Sequence, residues 1–315
     1  MKTAPEVSVV IAAHDGAATI GRTLDALRRQ DLDGEFEVIV VDDGSTDGTA
    51  AAVRAAGLPV RLLTQSQRGA GAARNLGVAE ARAGVIAFTD ADCFPTAAWL
   101  REGLAAIRTA DLVQGAVRPD AAAVRHPLER TLWVVEEAGL YETANLFIRR
   151  AAFERLGGFE DWLSPSGRPF AEDVWLGWRL RRAGGCTRFC PAAVVEHAVF
   201  PSTVGEHLGE AARLAHFPAM AARIPELRDT LFYGRLFLSR HTALFDLAVA
   251  GCAAGLALRR PLPLAAAMPY GWRVARAAAG WRRHAPKVVA TRVLADLIGL
   301  GALVAGGVRA KTPVL

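Results

Sequence analysis

Two acidic clusters close two apolar runs of strand length. Asp42 and Asp43 end the run in FEVIVVDDGSTDGT, and Asp90-Ala91-Asp92 ends the one in GVIAFTDADCF. Open α/β sheets bind ligands in the crevice outside the carboxyl ends of their strands, so both clusters are placed to face one pocket. Strand propensity disfavours Asp, and two carboxylates this close repel unless a cation or solvent lies between them. Hard oxygen ligands select Mg2+ or Mn2+, ions that keep waters and bridge to substrate phosphates. Asp90-x-Asp92 is therefore read as a metal-diphosphate site, the plain alternative being a solvated turn. Asp42-Asp43-Gly44-Ser45 has two readings as well. It is a turn with a helix cap, where Asp, Gly and Ser are favoured, or it supplies a carboxylate that accepts from a nucleobase imide or a ribose hydroxyl.

A further acidic pair, Glu172-Asp173, opens AEDVWLGWRLRRAGG, whose far end carries Arg179, Arg181 and Arg182. That charge order matches a helix dipole, which makes Asp173 a helix-start residue. The same position also lets an acid reach over a bound nucleotide and take a proton from an incoming hydroxyl. His197, in AAVVEHAVF, is either a ligand or a satisfied core imidazole. The four cysteines (Cys93, Cys186, Cys190, Cys252) lack paired zinc spacing and read as free thiols of a reducing cytosol.

The elements that must position these groups alternate from the start of the chain. Residues 7–12, 36–41, 60–63, 85–89 and 112–117 read as strands. Residues 19–29, 46–56, 70–83 and 96–109 read as helices. The strands lack polar alternation, as expected of a parallel sheet with both faces covered. ETANLFIRRAAFERLGGF reads as a strand turning into a short helix that stops at Gly157-Gly158. EDWLSPSGRPF reads as a loop and the segment after it as a helix. Trp162, Trp175 and Trp178 line the acceptor side or fill the core. With 315 residues and 52% hydrophobic content, the chain has room for one large domain and an appendage, and disorder is excluded.

Taken in order, VSVVIAAHDGAATIGRTLDALRRQ, VIVVDDGSTDGT, GAGAARNLGVAEARAGVIAFTDADC, ANLFIRRAAFERLGGF and AEDVWLGWRLRRAG resemble the motifs of the family-2 glycosyltransferases of the GT-A fold. The resemblance implies an α/β fold, a Rossmann-like, mostly parallel sheet flanked by helices. It also implies an inverting, metal-dependent enzyme of hexosyltransferase type. Such an enzyme moves one sugar from a nucleotide-sugar donor, a UDP-sugar by default, to a hydroxyl of a sugar or lipid-linked acceptor. By the same resemblance Asp43 contacts the base with Asp42 beside it, His14 and Asp15 edge the pocket, and Ala12 and Ala91 line it. Arg74 lies near the diphosphate and Asp90 near the ribose. Asp92, with Asp90 and His197, holds Mn2+ or Mg2+, and Asp173, adjoined by Glu172, is the general base. No Gln-x-x-Arg-Trp motif follows Asp173, which disfavours a processive synthase.

Charge divides the chain differently. From Leu231 onward there are 12 Lys and Arg against two acids, Asp246 and Asp296, whereas residues 1–230 carry a net −5. The expected division is a glycosyltransferase domain over 1–230 and a membrane-associated helical tail over 231–315. Apolar stretches at 241–258, 261–272 and 288–308 are each compromised as bilayer spans by length or by an embedded charge. Arg292 and Asp296 are spaced to pair on one helical face. A single crossing at 241–258 would put seven basic residues opposite a cytosolic domain, against the positive-inside tendency. Helices lying in or dipping into the inner leaflet remove that conflict, and place the protein on the cytoplasmic face of the cell membrane.

Other classes fit less well. A phospho-accepting receiver needs a lysine farther along its sheet, and the chain has only Lys2, Lys287 and Lys311. A sugar nucleotidyltransferase would carry a basic Gly-rich loop after its first strand, where this chain has AAHDGAAT. A non-catalytic glycosyltransferase-like membrane scaffold is the remaining alternative. The basic residues are interleaved with aliphatic stretches, so no nucleic-acid partner is expected.

Overall fold

Every apolar run read as a strand is paired. In the computed structural model, which describes residues 4–163 and 170–315, one eight-stranded sheet is built from β1 (Val7–Ala13), β2 (Phe36–Asp43), β3 (Val60–Gln65), β4 (Val85–Asp90), β5 (Cys93–Pro95), β6 (Leu112–Pro119), β8 (Asn145–Arg149) and β9 (Thr187–His197). The order is β3-β2-β1-β4-β8-β6-β9-β5. The pairs β1–β2, β2–β3, β1–β4 and β6–β9 are parallel. Those of β4–β8, β6–β8 and β5–β9 are antiparallel. This is the expected mostly parallel sheet flanked by helices.

Helices α1 (Ile20–Arg28), α2 (Thr49–Arg54) and α3 (Ala70–Ala79) connect the first four strands, and α4 (Trp99–Ile107), α5 (Arg150–Arg155) and α6 (Glu172–Arg182) follow. α1 buries Ile20, Thr23, Leu24 and Leu27, the i, i+3, i+4, i+7 stripe that packs a helix on a sheet. α2 begins at Thr49 instead of residue 46, and the Asp47 carboxylate just before it accepts from the Thr49 N–H at 2.8 Å. The loop expected over 160–170 falls partly outside the described residues, at 164–169.

Asn145 holds the centre of the sheet. It is fully buried, accepts from Trp99 Nε1 at 2.8 Å, and donates to the carbonyls of Ala116 and Ala193 at 2.8 Å each. One side chain thereby satisfies three buried polar groups, each of which would cost about 1–3 kcal/mol if left unpaired.

The chain divides into two units, Met1–Ala123 with Thr131–Val199, and Val124–Arg130 with Phe200–Leu315. The boundary after the sheet thus falls at residue 200 and not at 231. The second unit contains a short antiparallel pair, β7 (Glu129–Arg130) with β10 (Phe200–Pro201), and helices α7 (Val204–Ala212), α8 (Phe217–Arg223), α9 (Leu227–Thr230), α10 (Arg240–Leu258), α11 (Met268–Ala279) and α12 (Ala285–Ala310). Residues 204–230 pack on α12 through Leu303, which meets Ala221, Leu214 and Phe217, and through two glycines. A Cβ on Gly306 would sit 2.2 Å from the Ala215 carbonyl oxygen, and one on Gly299 would sit 3.1 Å from Leu214. Asp296 does not pair with Arg292 as its spacing suggested. It accepts from Tyr270 Oη at 2.7 Å and meets His241 Nε2 at 2.9 Å, which ties α12 to α10 and α11.

Candidate active site

The carboxyl ends of β1, β2 and β4 lie side by side. Ala12 is in register with both Val41 and Asp90, and Ala13 with Asp42. Both aspartates of the first cluster are buried, and both do turn work. Asp42 Oδ1 accepts from the Ser45 N–H at 2.9 Å. Asp43 accepts from Gln65 Nε2 at 2.7 Å and from the N–H groups of Arg68 and Gly69 at 2.8 Å each. Gly69, at φ +93, supplies the left-handed turn that aims its N–H at Asp43 and starts α3. Gln65, Arg68 and Gly69 were missed in the sequence, where SQRGAG offers only a Gly before a helix as a signal.

His14 and Asp15 follow β1 and are exposed. The His14 Nδ1 meets the Asp43 carbonyl at 2.9 Å, so Nδ1 carries the proton and Nε2 accepts from Gln67 Nε2 at 3.0 Å. Asp15, at φ +50, accepts from the Thr46 N–H at 2.8 Å and donates its own N–H to Ser45 Oγ at 3.0 Å. Ala91 lies deeper, its carbonyl accepting from Thr23 Oγ1 at 2.9 Å.

Arg74 joins the acidic groups. It stands on α3, is only 6% exposed, and its Nη2 donates to Asp90 Oδ1 at 2.7 Å while Nη1 lies 3.6 Å from Glu172 Oε1. The two carboxylates hold its pKa above the ordinary value despite burial, so the guanidinium stays charged. Its contacts make it a clamp between the end of β4 and the start of α6.

Ala171, in the left-handed region at φ +60, turns the chain into α6, and Trp162 Nε1 donates to its carbonyl at 3.0 Å. Glu172 and Asp173 occupy the first turn. The Asp173 carboxyl is raised from 3.8 to about 8, by burial first, then by the charges of Glu172 and Glu142, with the Val174 N–H and Arg74 acting in the opposite direction. A carboxyl so poised exchanges protons near neutral pH, which is what a general base requires. Trp175 and Trp178 are buried and donate to Glu160 and to the Gly139 carbonyl, each at 2.9 Å, so these two belong to the packing.

The antiparallel pairing of β5 with β9 sets Cys93 opposite His197. It brings His197 Nε2 to 3.6 Å from Asp92 Oδ2, and the ligand atoms of Asp92, Cys93 and His197 lie within 4.8 Å of one another. His197 Nδ1 lies 2.7 Å from the Ala198 carbonyl, which turns Nε2 toward the carboxylate. A carboxylate beside an imidazole is a donor set that suits Mn2+. Burial first, and then the neighbouring aspartates, push the Cys93 thiol well above its ordinary pKa.

Sheet order, strand-end acids and crossover helices define the class, an α/β fold of the GT-A kind. The family model described as glycosyl transferase family 2 matches residues 8–157. The glycosyltransferase AglE of Haloferax volcanii is 33% identical over 214 residues, 63% of this chain and 69% of its own. The pre-mycofactocin glycosyltransferase of Mycobacterium tuberculosis is 31% identical over 214 residues, 61% of this chain and 42% of its own. The chain belongs to glycosyl transferase family 2. In fold it is similar to the mannosyltransferase PcManGT of Pyrobaculum calidifontis, solved with GDP-Man and Mn2+, at a TM-score of 0.57 and 22% identity over 97% of this chain and 88% of that one. It also resembles residues 1–349 of S. aureus TarS in complex with UDP-GlcNAc, at a TM-score of 0.52 and 17% identity over 98% and 92% of the two chains.

Proposed function

We propose that the protein is an inverting glycosyltransferase that moves one sugar from a nucleotide-sugar donor, with a UDP-sugar favoured, to a hydroxyl of a sugar or lipid-linked acceptor. The observation that carries this reading is the approach of His197 Nε2 to Asp92 Oδ2 at 3.6 Å, beside the Arg74-clamped Asp90. Asp92 and His197 would hold a divalent cation, with Asp90 adjacent, and the cation when bound neutralises charge on a diphosphate leaving group. PcManGT, solved with GDP-Man and Mn2+, and TarS, solved with UDP-GlcNAc, support the donor class.

The chemistry then belongs to Asp173. Its carboxylate takes the proton of the acceptor hydroxyl as that oxygen bonds to the anomeric carbon. The carbon–oxygen bond to the diphosphate breaks on the opposite face, and its electron pair leaves with the nucleotide. A single displacement inverts the anomeric centre. Asp43, near the base, keeps its turn in shape through three hydrogen bonds, and His14 and Asp15 border the same end.

Thermal shifts with UDP-, GDP- and dTDP-sugars, each with and without Mn2+ or Mg2+, test the donor class. A donor at a hundredfold excess over its Kd adds about 2.7 kcal/mol of stability. One base class is expected to raise Tm, and only with the ion present. No shift with any of them contradicts the reading.

The helical unit is proposed to hold the enzyme at the inner leaflet, facing the cytoplasm. Two of its helices, Arg240–Leu258 and Arg282–Ala310, are long and apolar enough to cross a membrane, with mean hydropathies of 1.5 and 1.9. Leu256, Leu262, Met268, Trp272 and Val308 are exposed on this unit. The basic residues of 259–287 favour helices in or dipping into the leaflet. Detergent, and neither high salt nor carbonate, is expected to release the full-length protein from membranes. Recovery in the soluble fraction without detergent contradicts the attachment.

A further inference from the structure

Between Asp246 and Asp296 the chain carries eight lysines and arginines and no acid. Seven of these cations, from Arg259 to Lys287, are exposed, and none of the seven meets a carboxylate among the described residues. Packing within the helical unit decides where they stand. α10 and the segment after it form an antiparallel hairpin: a Cβ on Gly255 would stand 2.9 Å from Leu264, and the Phe245 ring meets that of Tyr270 at 5.1 Å. Arg259, in the left-handed region at φ +50, turns the tip, with Arg260 beside it. Arg273 and Arg276 stand toward the open end, and Arg282, Arg283 and Lys287 surround the start of α12.

α11 turns one face outward. Tyr270, Val274 and Ala278 form its buried stripe at i, i+4, i+8. Met268, Trp272 and Arg276, two residues before each, fall on the opposite side, and Met268 and Trp272 are 71% and 70% exposed. Leu256 and Leu262 flank the tip and are exposed as well. Apolar and aromatic side chains alternating with guanidinium groups suit the level where headgroups meet acyl chains.

The hairpin's orientation follows from its length. α10 has 19 residues and rises about 28 Å, so the cations at the tip and at the open end reach one leaflet together only when the hairpin lies along it. α12 fits the same placement. From Gly299 to Gly306 it lies against Leu214 and Ala215, in a segment that follows the exposed Glu210–Arg213 pair, so this half stays in water. Residues 285–298 alone rise about 21 Å, short of the roughly 30 Å of a hydrocarbon core.

We infer that this acid-free surface docks flat on an anionic phospholipid bilayer, its exposed cations against lipid phosphates and Trp272 at the acyl boundary. The inference rests on the helical unit being the membrane anchor, and adds the class of lipid that the anchor selects. Charge complementarity makes that choice, because a neutral surface leaves seven cations without counter-charge.

The test dilutes the full-length protein from detergent onto vesicles of phosphatidylcholine, alone or with about a quarter phosphatidylglycerol, and measures partition by flotation. Each cation near an anionic surface contributes about fivefold, so the anionic coefficient is expected to exceed the neutral one by at least about a hundredfold. Arg273→Gln combined with Arg276→Gln should lower the anionic coefficient about twentyfold and leave the neutral one unchanged. Trp272→Ala should lower both alike. All three side chains are exposed, so Tm is expected to stay at the wild-type value in each variant. Equal coefficients for the two vesicle types leave the attachment standing and overturn this inference alone. A double variant that keeps the wild-type anionic coefficient does the same, and so does a dimer in detergent that the double variant separates, which assigns the surface to a second copy. No partition onto either vesicle overturns the attachment too.

Discussion

Asp173→Asn is expected to lower sugar transfer about a thousandfold, the middle of the range for a positioned general base, while the folded chain becomes no less stable. The two effects have one cause. The site raises the Asp173 carboxyl from 3.8 to about 8 through burial and the charges of Glu172 and Glu142. Between those values the folded chain holds a proton that the unfolded chain has released. Stability contributed at this position is therefore complete at low pH and falls as pH rises toward 8. Asn does not titrate. The variant should match the wild type in Tm near pH 4 and equal or exceed it at pH 8.

Activity runs the other way, because only the ionised base accepts the acceptor's proton. Wild-type kcat/KM is expected to rise with pH through about 8 and then level off, and this limb should vanish in the variant's residual activity. A variant that keeps wild-type turnover removes Asp173 from the role.

The second large effect is expected at Asp92. Asp92→Ala removes the carboxylate that faces His197 Nε2 at 3.6 Å. Cation stabilisation of a leaving group is worth several kcal/mol, so turnover should fall by about three orders of magnitude. The ion-dependent part of nucleotide affinity should disappear as well. Ion-independent affinity should persist, because the Asp43 turn and the His14–Gln67 contact do not involve Asp92. Calorimetric titration with UDP and GDP, with and without Mn2+, separates the two components. Nucleotide affinity that keeps its full dependence on Mn2+ in this variant excludes Asp92 from the cation site.

The strand-end acids were legible because two independent signals coincide, a strand-length apolar run and Asp residues that such a run disfavours. Register then does what the sequence could only anticipate, setting Ala12 beside Asp90 and Ala13 beside Asp42. The division of work within the first cluster was not legible. Asp42 and Asp43 are adjacent and alike, and only the turn after β3 shows which of them receives three hydrogen bonds. The approach of His197 to Asp92 depends on an antiparallel pairing between segments about a hundred residues apart, which no local pattern encodes.

Asn145 was missed for a related reason. Its role comes from what α4, β6 and β9 place against it, and nothing in GLYETANLF singles it out. In the second unit, composition changes at 231 but packing changes at 200. The polar faces of residues 204–223 hide a fit to the glycines of α12 that hydropathy does not register.

The most direct measurement of the cation site is pulsed electron paramagnetic resonance of Mn2+ in the enzyme with UDP or GDP bound. A nitrogen nucleus coupled to the bound Mn2+, lost in His197→Ala and retained in Cys93→Ser, is the predicted result. Mn2+ that binds with the nucleotide yet shows no nitrogen coupling in the wild type would contradict it.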